Sequence, residues 1–600
     1  MNQIEFHVAE AVAAYAIYPE VISLIELLSP TMTADRANQT LQQLTGIRNF
    51  FADREALDAF HKAVTMAAPH NNLPNIRQWG DFQTPPKLAQ QVCTYLAANG
   101  IAPHVIIEPT YGAGSFILAA LDVFPEVELV YGVEIQEKYV WHLKMALLTR
   151  ALRGQRSVAE IELHRDDIFT HHFADRVRRA RDVLVIGNPP WVTNAELGSL
   201  GAKNLPVKRN IKTLNGMDAM TGKSNFDLGE YVLLQMLELF SGQRGTLAML
   251  CKNAVIKNIM ESLPQRQFKI ANIRALGIDA GKAFGAAVEA SLLFMDLGAT
   301  TTTATCQVAT LDEPKHVKRV FGWTQGKFVS DFARYELTAG IDGRSSLIWR
   351  QGLKHDCSSI MELTDRNGAL INGNGDAVDI EGGYVYSLLK SSDLRDFAVR
   401  CARKKVIVTQ RSLEEDMSEL QQRAPKLWVY LMHNRESLDR RKSSIYRGKP
   451  PFSIFGIGEY AFLPYKVAIS GLYKEPCFSI ALPIEGRPVM LDDTCYFLGF
   501  SSYEDALLTA SLLNSPLVLQ FLKSVVFTDA KRPYTKEVLM RIDLAQVATQ
   551  VAFRELEALW REKDYQPRIH ITESDLVQYR QRLALLSQKP AGAQLRLDLC

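Results

Sequence analysis

Short apolar runs recur through the first half of the chain, each followed by a stretch with helical spacing: Val105-Ile106-Ile107, Leu129-Val130-Tyr131-Gly132-Val133, Val183-Leu184-Val185-Ile186 and Thr246-Leu247-Ala248-Met249-Leu250. Runs that are apolar throughout, rather than alternating, predict strands buried on both faces, and helices between them predict parallel connections. The pattern predicts a doubly wound α/β domain over residues 76–300. Ahead of it, Val21, Leu24, Ile25 and Leu28 fall at helical spacing between Pro19 and Pro30, predicting a helical extension over residues 1–75. The turn-rich Ala68-Pro69-His70-Asn71-Asn72-Leu73-Pro74-Asn75 marks its end. From residue 315 to 600 the pattern changes to short strands, turns and helices, a mixed α+β domain with a charged helical tail from Gln550. The sequence carries no internal repeat and no low-complexity tract.

Composition narrows this picture only a little. Six hundred residues exceed what one core organises, so two or three domains are expected. Hydrophobic residues make up 47% and charged residues 22%, which excludes a disordered or fibrous chain. The net charge of +2 neither requires nor excludes a nucleic-acid partner, because a basic cleft can sit on a nearly neutral protein. The 8 cysteines are scattered without a CxxC pair or a His/Cys cluster, so a reduced protein without a metal site is expected. The N-terminal residues lack the basic and apolar regions of a signal peptide, and no apolar run reaches the roughly 18 residues of a membrane span. The expectation is a cytoplasmic monomer that does not enter a membrane.

The chemistry concentrates behind the strands. Gly187-Asn188-Pro189-Pro190-Trp191 directly follows the run Val183 to Ile186, at the carboxyl end of a strand, where ligands bind in open α/β sheets. An exocyclic amine on an aromatic ring is a poor nucleophile because its lone pair is delocalised. Two fixed acceptors, the Asn188 side-chain oxygen and the backbone carbonyl of Pro189, would draw its two hydrogens and favour the pyramidal form, with Pro189 and Pro190 stiffening the turn. Trp191 would stack on an extruded base. Taken alone, the segment reads equally as a strand-ending turn with an aromatic plug. Upstream, Glu108-Pro109-Thr110-Tyr111-Gly112-Ala113-Gly114 sets a glycine loop between a strand and an apolar helix. The next strand ends in Glu134, spaced to grip ribose hydroxyls, and a further one ends in Arg165-Asp166-Asp167-Ile168, where a carboxylate would accept from an adenine amino group. Each acid alone reads as a surface charge; three in register do not.

With Asp81-Phe82-Gln83-Thr84-Pro85-Pro86 ahead of these motifs, their order resembles the gamma group of bacterial adenine-N6 DNA methyltransferases over residues 79–297. The resemblance implies a class I methyltransferase domain that uses S-adenosylmethionine and acts on double-stranded DNA. It places Thr84, Pro85, Glu108, Pro109, Tyr111, Gly112 and Gly114 around the methionine part of the cofactor, Glu134 on its ribose, and Asp167 with Ile168 on its adenine. Asn225-Phe226-Asp227-Leu228 matches the family's next motif, and Phe284 an aromatic that packs on the flipped base. Trp191 departs from the commoner Tyr or Phe, and the pair Asp166-Asp167 leaves the third acid ambiguous.

The segment 196–224, longer than a usual connection, carries Lys203, Lys208, Arg209 and Lys212 and reads as a lid, a DNA-contacting loop or a solvated loop. The domain from 315 would be a target-recognition domain, with Arg440, Arg441 and Lys442 beside Tyr446 and Phe452, and Lys531-Arg532-Pro533-Tyr534, as DNA contacts. Thr221-Gly222-Lys223-Ser224, Pro476-Cys477 and His171-His172 imitate a phosphate loop, a cytosine-methylase nucleophile and a ligand pair, but each lacks its context. His171-His172 is expected at the surface. An RNA or protein glutamine amine methyltransferase and a non-catalytic DNA-binding relative stay open. A separate cognate restriction endonuclease is the partner the resemblance adds.

Overall fold

The computed structural model describes residues 3–15, 28, 31–66, 83–192, 227–413, 415 and 419–587. The chain divides into two compact units, Met1–Phe328 and Val329–Cys600.

The first unit is built on a sheet whose order is β1-β4-β3-β2-β5-β6-β8-β7-β9-β10-β11. Its strands are β1 (Ile47–Arg48), β2 (Val105–Glu108), β3 (Leu129–Glu134), β4 (Glu160–Arg165), β5 (Val183–Gly187) and β6 (Gly245–Lys252). They continue with β7 (Ile270–Ile278), β8 (Ala290–Leu297), β9 (Thr305–Thr310), β10 (Arg319–Thr324) and β11 (Lys327–Val329). From β1 through β6 all neighbours are parallel, and β8 then inserts antiparallel between β6 and β7. Every residue of β2, β3 and β5 is buried, which is why these strands read as unbroken apolar runs.

The helices are α1 (Gln3–Tyr15), α2 (Ala34–Thr45), α3 (Arg54–Met66), α4 (Pro86–Ala98), α5 (Ser115–Val123), α6 (Glu137–Leu152), α7 (Asp175–Arg178), α8 (Leu228–Phe240), α9 (Asn253–Ser262) and α10 (Ala280–Phe284). Their ends follow local rules. Pro86 opens α4, where its missing N–H costs nothing, and Asp227 caps α8 by accepting from Gly229 N–H at 3.0 Å.

The strand order runs outward from β2 through β3 to β4 on one side and from β5 to β6 on the other. The reversal falls between β2 and β5, and in doubly wound sheets ligands bind there, outside the carboxyl ends.

Two expected boundaries shift. The helical extension of residues 1–75 is part of the sheet domain: β1 pairs with β4, and Phe50, Phe51 and Phe60 pack edge to face with one another and lie against Trp141 of α6. Lys144 of α6 donates to the Phe50 carbonyl at 2.5 Å. The domain also runs past 300, because β9 pairs in parallel with β7 and β10 continues the sheet. The expected turn at 68–75 and most of the helix proposed around Val21 lie outside the described residues.

The second unit contains two five-stranded sheets, Arg350–Gln351, Cys495–Phe500, Tyr465–Ser470, Phe478–Ala481 and Ala398–Val399 in one, and Ala369–Ile371, Glu362–Arg366, Lys404–Ile407, Val385–Leu389 and Met490–Leu491 in the other. Helices from Tyr503 onward close the core around fully buried Trp349 and Tyr579. No single helix among the described residues is long and apolar enough to cross a membrane. The apolar pair Tyr503–Leu513 and Pro516–Val525 is bent by 58°, and its Leu507, Leu512, Phe521 and Leu522 are core residues of this unit.

Candidate active site

One cavity of about 220 Å³ opens at the β2/β5 reversal, and it joins motifs far apart in sequence. Thr84, Glu108, Pro109, Tyr111 and Gly112 line it from the β2 side, Glu134 from β3, Asp167 and Ile168 from behind β4, and Asn188, Pro189, Pro190 and Trp191 from β5. Of the residues expected around it, Pro85 and Gly114 stand just outside, at the starts of α4 and α5, and Phe284 lies behind Trp191. Asp166, the other candidate for the third acid, also lines the wall, as do Gln83, Gln136 and Phe169, which the motifs left without a role.

The glycine loop is held by side chains on both flanks. Gly112 N–H donates to Glu134 Oε2 at 2.9 Å, Gln136 N–H donates to Glu134 Oε1 at 2.8 Å, and Ala113 N–H donates to Gln83 Oε1 at 2.7 Å. Gly112 has φ +51°, a conformation that favours glycine, and a Cβ there would lie 2.5 Å from Gln83 Oε1 and displace that side chain from Ala113 N–H. Beneath the loop, Glu108 is only 2% exposed. Burial pushes its carboxyl well above the usual range, and the charge of Glu134 adds to the effect. Glu108 Oε2, Thr110 Oγ1 and the Tyr111 hydroxyl are buried here with no hydrogen-bond partner among the described residues. Buried polar atoms without partners are costly, and all three belong to residues that line the cavity, which suits a polar ligand.

Behind β4 the two acids have different surroundings. Asp166 Oδ2 accepts from His171 Nδ1 at 2.7 Å, and His171 Nε2 in turn accepts from the Tyr131 hydroxyl at 2.8 Å. His171 holds the Asp166 carboxyl below its usual range. Asp167 uses Oδ1 to cap the Phe169 N–H at 3.0 Å. The His171 side chain is 6% exposed, so this residue, expected at the surface, is an enclosed linker between β3 and the acid turn. Its partners are 5 and 40 residues away, and no sequence spacing reveals them.

On the β5 side, Leu228 N–H donates to the Val192 carbonyl at 3.0 Å, which seats α8 on the Asn-Pro-Pro turn. Trp191 is 5% exposed and meets Phe284 edge to face, with centroids 5.0 Å apart and planes at 69°. The two rings touch each other, so a base stacking on Trp191 would enter from the cavity side.

The expected DNA contacts separate into two groups. Arg441 is an internal strut: it donates to the Leu438 carbonyl at 2.7 Å and the Ser453 carbonyl at 2.8 Å and lies 3.8 Å from the Tyr446 ring centroid. Arg532 donates to the Asp493 carbonyl at 3.1 Å. Arg440, Lys442 and Lys531 are exposed. Lys203, Lys208, Arg209 and Lys212, the loop 196–224, Thr221-Gly222-Lys223-Ser224 and Asn225-Phe226 lie outside the described residues. Burial raises the Cys477 thiol, the opposite of what a nucleophile needs.

Fold and cavity together define a doubly wound α/β domain with a cavity at its switch point. The chain is 36% identical over 481 residues to the type II methyltransferase M.NspV of Nostoc sp., spanning 80% of this chain and 99% of that protein. It is 31% identical over 119 residues to the type II methyltransferase M.XamI of Xanthomonas campestris pv. amaranthicola, 20% of this chain and 21% of that one. No family model matches. Among solved structures, the type IIL restriction-modification enzyme MmeI in complex with DNA aligns at a TM-score of 0.47 and 10% identity, over 89% of this chain and 81% of that one. The chain belongs to the type II methyltransferases.

Proposed function

We propose that the protein uses S-adenosylmethionine to methylate the N6 amino group of adenine in double-stranded DNA, as the modification enzyme of a restriction-modification system with a separate endonuclease. The observation that carries this reading is the single cavity shared by the Asn188-Pro189-Pro190-Trp191 turn and the Gly112 loop. The cofactor fits the residues present. The buried, unpartnered Glu108 Oε2 and Tyr111 hydroxyl suit its amino-acid end, because a bound ammonium would compensate the charge that burial penalises at Glu108. Glu134, a carboxylate at the end of β3 that lines the cavity, is the acid for the ribose hydroxyls, and Asp167 is the acid for the adenine amine.

When bound, the cofactor supplies an electrophilic methyl group on its sulfonium. The chain's own residues act on the amine. Asn188 Oδ1 and the Pro189 carbonyl accept the two N6 hydrogens and localise the nitrogen lone pair toward the methyl. Trp191 stacks on the extruded base, worth about 1–3 kcal/mol against the cost of unstacking it. The buried face of Trp191 lines the cavity, so a base stacked on it would displace water from that wall. The second unit, with exposed Arg440, Lys442 and Lys531, reads the target sequence. The test is direct: the purified protein is incubated with DNA and methyl-labelled cofactor, and the DNA is digested to nucleosides. N6-methyladenine is expected; no methylated adenine in the DNA, with label instead in RNA or protein supplied in parallel reactions, rejects the reading.

A further inference from the structure

The Asn188 turn is held in place by a helix start, and that helix start is tied down from a second strand. Asp227 divides its carboxylate between two tasks. Oδ1 accepts from Gly229 N–H at 3.0 Å, capping α8, and Oδ2 receives Lys252 Nζ at 2.8 Å. Lys252 is the last residue of β6, the strand beside β5, and the two side chains are 20% and 13% exposed. The first turn of α8 lies directly on the acceptor turn: a Cβ on Gly229 would sit 3.3 Å from the Pro190 carbonyl oxygen and 3.6 Å from Pro189 Cγ. Leu228 N–H reaches the Val192 carbonyl.

An aspartate caps a helix N-terminus without a lysine, since the helix dipole already favours its charge. What Lys252 adds is rigidity. With both oxygens engaged, the carboxylate cannot rotate, and the start of α8 is fixed to β6 as well as to the turn behind β5. Lys252 does not line the cavity, so it acts only through Asp227.

We propose that Lys252 is a positioning residue for methyl transfer: through Asp227 it clamps the first turn of α8 against Pro189 and Pro190 and fixes the two acceptors of the amine hydrogens. The inference rests on the function proposed above. Acceptors that wander by about 1 Å slow transfer on the order of 100-fold, while leaving the binding surfaces in place.

The test is single-turnover methylation at saturating DNA and cofactor, alongside DNA and S-adenosylhomocysteine binding, for K252M, K252R, D227N and the double variant. K252M is expected to slow transfer about 10- to 100-fold with both dissociation constants within about threefold of wild type. K252R restores most of the rate, and K252M adds less than about twofold in the D227N background, because the two residues act as one. A wild-type rate for K252M overturns the inference. So does a loss confined to DNA affinity whose salt dependence becomes shallower, the behaviour of a phosphate contact. K252Q, which keeps length and a donor without the charge, is read by the same criteria should K252M not fold. The wild-type product is identified in the same reactions. A product other than N6-methyladenine rejects the proposed function and leaves the Lys252 comparison readable, whereas N6-methyladenine with an unchanged K252M rate rejects only this inference.

Discussion

Glu134 grips the loop of Gly112 by a hydrogen bond of 2.9 Å from the glycine N–H, and its other oxygen holds Gln136 N–H at 2.8 Å. The carboxylate at the end of β3 therefore shapes the glycine loop behind β2 before any ligand arrives. Hydrogen bonds to a charged group contribute about 1.5–3 kcal/mol each. Glu134→Ala is expected to weaken S-adenosylhomocysteine binding by at least about tenfold, with Glu134→Gln intermediate because one acceptor remains. Calorimetric titration measures this, and equal losses in both variants would mean that the loop does not depend on the two bonds.

The two neighbouring acids should separate cleanly. His171 engages Asp166, so Asp166→Asn is expected to leave cofactor binding within about threefold, whereas Asp167→Asn weakens it about tenfold or more. The reverse order in the same titration would assign the adenine contact to Asp166.

Arg441 and Arg440 are adjacent but differ in role. Arg441→Ala removes the guanidinium that donates to the Ser453 and His355 carbonyls and is expected to destabilise the fold by about 1–3 kcal/mol, seen as a lower thermal midpoint. Arg440 is exposed and, among the described residues, pairs with exposed Glu436, so Arg440→Ala should leave the midpoint unchanged. Differential scanning calorimetry on both variants decides the matter.

Burial lowers the Lys466 ammonium to about 7 and that of Lys144 to about 8. An unfolded chain holds these protons up to about 10.5 and the folded chain releases them earlier, so stability is expected to rise with pH between about 7 and 8, before the buried thiols Cys93, Cys251, Cys306 and Cys495, which keep their protons where an unfolded chain loses them, reverse the trend near pH 9. Each site contributes a slope of up to about 1.4 kcal/mol per pH unit. Denaturant unfolding at a series of pH values should show Lys466→Met with a shallower rise than wild type. An identical slope would mean that Lys466 stays charged in the folded chain.

The parts legible in the sequence were those whose signal is local. Strands β2, β3 and β5 are buried on both faces, and their continuous Val and Ile runs announced them. The motifs Glu108–Gly114 and Asn188–Trp191 were visible because each is a contiguous turn behind such a strand. β1 has two residues, and β9 and β10 are recognised only by their partners, so the domain's true limits were not readable. The same holds for the contacts of His171 with Tyr131, of Lys252 with Asp227 and of Arg441 with backbone carbonyls. Side chains that bind distant groups or main-chain oxygens leave no pattern in spacing, and a run of basic residues looks the same whether its members face DNA or their own fold.

The central claim is that Asn188 and the Pro189 carbonyl activate an adenine amine beside the cofactor loop. It is tested most directly by methylation rate and cofactor affinity measured together for Asn188→Ala. The account predicts a fall in rate of at least about 100-fold with S-adenosylhomocysteine affinity nearly unchanged. A variant that methylates DNA at the wild-type rate, or one that loses cofactor binding along with activity, would contradict it.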